Sequence, residues 1–103
     1  PNVSIIYDPV NISDINDIES QHKIVDEVYS LYGNRIAVLH FKDYEVIDGK
    51  KEGRLACDGV FDYEYLFKYV KRYSPFIDAI LETNSEYNFK DTAEKVIKIW
   101  NNV

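Results

Sequence analysis

The sequence predicts an α/β domain of three consecutive strand–helix units around a parallel sheet, and three observations carry that expectation. Short, nearly continuous apolar runs occur at Val3–Tyr7, Ile36–Phe41 and Ile77–Leu81. Runs of this kind suit strands buried on both faces beneath helices. Stretches with apolar residues at helical spacing follow each run, and strands alternating with helices indicate parallel βαβ units with right-handed crossovers. Each run also ends in or beside a metal-competent side chain, Asp8, His40 and Glu82, at the carboxyl ends of strands, where α/β sheets keep their chemistry.

The first run is stopped by Pro9, which cannot donate to a ladder, in the loop Asp8–Asn11. Ser13 or Asp14 then caps a helix whose positive end is favoured by Asp14, Asp17 and Glu19. Ile18, Val25, Val28, Tyr29 and Tyr32 share one of its faces, and Gly33 suits the left-handed position that closes it. After the His40 strand comes a charged stretch, Asp43–Arg54, with Gly49 and Gly53. It reads either as a functional loop or as a solvated, hairpin-like excursion. Asp62 caps the next helix, with Tyr63, Leu66, Phe67, Val70 and Tyr73 on one face. Pro75 precedes the third strand, and the final helix carries Phe89, Ala93, Val96, Ile97 and Trp100 in register. No glycine-rich phosphate fingerprint follows any strand, which weakens a nucleotide-binding reading.

Composition narrows the class further. The 103 residues make one domain at most, and the 46% hydrophobic fraction is ample for a core. No run approaches a membrane span and no secretory pattern is visible, so no membrane partner is expected. Cys57 is the single cysteine, which excludes an internal disulfide and suits a reducing, cytoplasmic setting. A formal net charge of -6 argues against nucleic acid, whose affinity rests largely on phosphate neutralisation.

Three strands make an incomplete sheet, with apolar outer edges left open. A complete βα barrel takes about 250 residues. The expectation is therefore the C-terminal part of a larger barrel, which alone would self-associate or pair with its missing N-terminal part. Asp, His and Glu at neighbouring strand ends suit a hard or borderline divalent ion: manganese, magnesium, cobalt or zinc. Such an ion acts as a Lewis acid on a substrate carbonyl and stabilises an enediolate, while a carboxylate removes the adjacent proton.

The residues at these strand ends resemble a known pattern. Ile36–Asp43 is similar to the H-x-K-D strand of the xylose isomerase-like barrels, a superfamily of sugar and sugar-phosphate isomerases and epimerases. Asp8-Pro9-Val10-Asn11 resembles the D-P-x-N end of the strand before it, and Leu81-Glu82 the L-E end of the final strand. Cys57–Tyr63 resembles the G-x-G-x-x-D segment, followed by Phe or Tyr, that precedes the seventh helix. Cys57 departs from it by standing at the first glycine, whereas Gly59 is kept.

The resemblance covers essentially residues 1–103 and aligns them with strands six to eight of a (β/α)8 TIM barrel. It implies that Asp8, His40 and Glu82 are metal ligands and that Glu82 is also a catalytic acid/base. A partner glutamate and fourth ligand would belong to an absent strand five, so this part alone would be inactive. Lys42 and Asn11 become substrate contacts, for an anion and a sugar hydroxyl, with Asp43 in a supporting position. Surface solvation competes as an explanation of Lys42, and turn formation as one of Asn11.

Three alternatives remain at this stage. A polyol dehydratase of the same superfamily would use a similar site. A non-catalytic ligand-binding or assembly domain would show weak metal binding and stable self-association. An abasic-site endonuclease fits least: Asn11 stands where its D-x-x-H pattern has histidine, and Arg54–Cys57 lacks its D-x-H.

Overall fold

The computed structural model describes residues 3–13, 18–83 and 85–103, the side chains of Ile18 and Tyr87 excepted. The helix-start roles expected of Asp14 and Asp17 lie outside the described residues.

The three expected strands form one parallel sheet. They are β1 (Ile5–Tyr7), β2 (Ile36–Phe41) and β5 (Asp78–Leu81), in the order β1-β2-β5. Helices α2 (Ile18–Tyr32), α3 (Tyr63–Tyr73) and α4 (Glu86–Asn102) follow the respective strands. Tyr7, Leu39 and Phe41 point from the sheet into a core shared with Val25 and Tyr29 of α2 and with Leu66, Phe67 and Val70 of α3.

Helix α3 shows how the sequence dictates the element. Asp62 accepts from the Tyr65 N–H through Oδ1 at 3.1 Å, capping the helix. Tyr63, Leu66, Phe67 and Val70, at helical spacing, are its buried face. Trp100 of α4 packs edge-on against Phe67, with centroids 5.4 Å apart. Tyr73, Phe89 and Ile97 were expected on apolar faces but stand exposed. Tyr73 nonetheless lies against the rings of Tyr29 and Tyr69.

Two local expectations are corrected. Pro9 does more than stop a strand: it opens a short helix, α1 (Pro9–Ile12), capped by Asp8. Gly33 lies in a 3-10 turn over Gly33–Arg35 and its φ is not positive. A Cβ there would stand 3.3 Å from Cδ1 of Tyr29. Close packing, and not a left-handed cap, therefore favours glycine at that position.

The charged excursion is an antiparallel hairpin, β3 (Asp43–Ile47) and β4 (Lys50–Arg54). Asp48 and Gly49 both have positive φ, 52° and 75°, as a two-residue type I′ turn requires.

Among the described residues, one face of the parallel sheet is left largely exposed. Register places Ile6 beside Val38, Val38 beside Asp78, and His40 beside Ile80. On that face Ile6 is 66% exposed and Ile80 51% exposed. No helix among the described residues is long and apolar enough to cross a membrane.

Candidate functional site

Side chains alternate along a strand, so the exposed face continues from Ile6 to Asp8, from His40 to Lys42, and from Ile80 to Glu82. The three expected metal ligands and Lys42 therefore converge at the carboxyl edge of the sheet. Glu82 is held there by its own N–H, which donates to the Phe41 carbonyl at 3.0 Å.

The four groups close a ring. His40 Nδ1 lies 3.3 Å from Asp8 Oδ2, and His40 Nε2 lies 3.6 Å from Glu82 Oε2. Lys42 Nζ lies 3.2 Å from the same Asp8 oxygen and 3.7 Å from the same Glu82 oxygen. Each carboxylate oxygen thus faces one imidazole nitrogen and the ammonium. Asp8 divides its work, because its Oδ1 accepts from the Asn11 N–H at 3.2 Å and caps α1. With the ring proton on Nδ1, facing Asp8, His40 presents the Nε2 lone pair towards Glu82. Asp8 is mostly buried, whereas the Glu82 side chain is half exposed.

One nitrogen and two carboxylates are the donor set that manganese, magnesium, cobalt or zinc accepts. A cation, the Lys42 ammonium, already sits against the two carboxylate oxygens that would bind such an ion. In type, the residues match the donor set of a divalent metal. Among the described residues, no three His, Cys, Asp or Glu side chains form a ready ligand group. The donors face one another and the ammonium, so binding requires them to turn.

Beside the ring opens a cleft of about 750 Å³, lined by Asn11, Lys42, Lys51, Arg54, Glu82 and Thr83 among others. The hairpin forms one wall. Lys51 Nζ donates to the Val10 carbonyl at 2.7 Å and thereby ties β4 to α1. Asn11, exposed, lines the cleft as well.

Asp43, expected among the substrate contacts, lines the same cleft with Lys42 and Glu82. It is 1% exposed, and its Oδ1 accepts from the backbone N–H of Tyr44 at 2.8 Å and of Phe61 at 2.9 Å. The backbone at Cys57 and Gly59 also faces this carboxylate, yet burial outweighs these donors and pushes its pKa up. Asp43 fastens the segment after the hairpin and touches neither Lys42 Nζ nor His40 among its described contacts.

Two supporting residues escaped the sequence reading. Tyr63 donates its hydroxyl to the Lys42 carbonyl and so fixes the backbone from which the ammonium projects. Gln21 of α2, buried, donates to the Tyr44 hydroxyl at 3.2 Å and the Val60 carbonyl at 3.3 Å, and accepts from the Asp62 N–H at 2.8 Å. Tyr63 reads as an ordinary core aromatic. A glutamine on an apolar helical face was the available signal for Gln21.

No family model matches the chain, and neither any curated protein nor any solved structure matches it significantly.

Proposed function

We propose that the chain supplies the last three βα units of a (β/α)8 barrel, a divalent-metal-dependent isomerase or epimerase of small sugars or sugar phosphates. The observation that carries this reading is the convergence of Asp8, His40 and Glu82, from three neighbouring parallel strands, beside a cleft of about 750 Å³. The exposed apolar face and the open edges of β1 and β5 support the barrel: remaining strands would continue the sheet and enclose Ile6 and Ile80.

Asp8, His40 and Glu82 would hold the ion, which when bound supplies Lewis-acid polarisation of a substrate carbonyl. Glu82 is the proton-transfer group. Its half-exposed carboxylate borders the cleft and is free to reach a carbon beside the carbonyl, whereas Asp8 is committed by its cap to Asn11. Asn11 orients a hydroxyl. Lys42 offers an anionic oxygen its ammonium from the inner wall.

The test is deuterium incorporation into a panel of ketoses in deuterated water with manganese, using the chain within its complete barrel. Metal-dependent exchange at the carbon next to the carbonyl, abolished by Glu82→Gln, is expected. Metal binding without exchange would replace isomerisation by dehydration or by ligand binding alone, and absence of metal binding would remove the site.

A further inference from the structure

We infer that Lys42 is a resident cation which keeps the ligand carboxylates together and which a divalent ion must displace, so that metal loading delivers the ammonium to the substrate cleft. The inference rests on the metal-site reading above and assigns Lys42 a role within it as a positioning residue.

The geometry is specific about the competition. Lys42 Nζ and the imidazole share the same carboxylate oxygens. The ammonium stands 3.2 Å from Oδ2 of Asp8 and 3.7 Å from Oε2 of Glu82, the two atoms that His40 also faces. A carboxylate oxygen that serves an ammonium has less charge to offer a metal. Two cations packed around the same oxygens also repel each other strongly in a partly buried site. Lys42 is largely shielded from solvent, with its side chain 24% exposed, so this repulsion is weakly screened.

Without a cation the arrangement would be costly. Two carboxylates facing one imidazole carry like charge, and the ammonium offsets it. Lys42 therefore explains how the strand ends stay converged without metal.

The ammonium also has somewhere to go. Lys42 lines the cleft together with Asn11, Glu82 and Thr83. Its stem is flexible and its backbone is anchored by the Tyr63 hydroxyl. Rotation about the stem alone would carry the charge from the carboxylates into the cleft, without moving the strand. There it meets a substrate's anionic oxygen, so the charge needed for substrate is exposed only where metal is present.

The experiment compares manganese affinity, by calorimetric titration and paramagnetic resonance, for the wild-type chain, Lys42→Met and Lys42→Arg. It is paired with the rate of Lys42 acylation with and without magnesium. Removing the charge is expected to tighten manganese binding about tenfold or more, while Lys42→Arg stays near wild type. Magnesium is expected to speed acylation of Lys42 as its amine leaves the carboxylates. Equal affinity in wild type and Lys42→Met, or weaker affinity in Lys42→Met, would overturn the displacement while leaving the metal site in place. Acylation slowed by magnesium would overturn it as well. No manganese uptake by any of the three chains would overturn both this inference and the metal site.

Discussion

Cys57 has a φ of +71°, a conformation that disfavours any residue with a Cβ. Cysteine in place of the pattern's first glycine puts a tight turn in doubt, yet the chain turns here with the cysteine in it. Cys57→Gly is expected to stabilise the fold by about 1 kcal/mol, read as a higher denaturation midpoint. A lower midpoint would mean that the side chain's packing outweighs the backbone strain. Burial and the neighbouring Asp43 and Asp58 push the thiol up to about 11, so Cys57 is a poor nucleophile at neutral pH. Two residues on, Gly59 is required by space. A Cβ there would lie 2.2 Å from the Tyr44 carbonyl oxygen and 2.5 Å from Oδ1 of Asp43. Gly59→Ala should cost about 3 kcal/mol in a urea titration, because it forces the Asp43 latch apart. Neither demand was legible from composition or spacing. At Gly59 the close approach is to Tyr44 and Asp43, fifteen or more residues earlier in the chain, and such a contact has no local signature.

At the level of elements, the sequence disclosed most where one period dominates. The parallel strands and the cap of α3 at Asp62 follow from apolar runs and one helix-start residue. The hairpin was harder, because Lys50, Lys51, Glu52 and Arg54 make it polar on both faces and hide the strand alternation. Asp48-Gly49 was the readable signal, since this dipeptide fits a type I′ turn. The contact between α2 and α3 was not readable either. It includes Asp26, which receives hydrogen bonds from the Tyr65 and Tyr69 hydroxyls, while His22 stacks on Tyr65 with centroids 3.8 Å apart. Hydrogen bonds from Tyr65 and then Tyr69 hold the Asp26 carboxyl below the usual carboxylate range. A folded value below the unfolded one stabilises the protein above the unfolded value, and this contribution is lost as pH falls through the folded value. Asp26→Asn should therefore lower the urea midpoint near neutral pH and converge with wild type under acid conditions. A constant difference at every pH would instead assign the loss to packing.

For the whole molecule, the decisive feature is a sheet that, among the described residues, leaves one face exposed. Ile6, at 66% exposure, and Ile80, at 51%, lie on that face, which leads straight to Asp8, His40, Lys42 and Glu82. The isolated chain is expected to self-associate through this surface. Sedimentation velocity should show the association reduced in a chain carrying Ile6→Thr and Ile80→Thr, which keep β-branched side chains while lowering apolarity. Unchanged association would locate the contact elsewhere. The convergence of the strand ends was legible because three parallel strands must place their carboxyl ends together, whichever side chains they carry. The ring around Lys42 was not legible, since only side-chain geometry brings its ammonium to the oxygens facing His40. The most direct measurement is a manganese titration followed by paramagnetic resonance, on the wild-type chain and on Asp8→Asn, His40→Ala and Glu82→Gln. A single bound ion in the wild type, weakened at least tenfold by each substitution, is the expected result. Manganese uptake indifferent to all three, or no uptake by the folded wild type, would contradict a metal site at these strand ends.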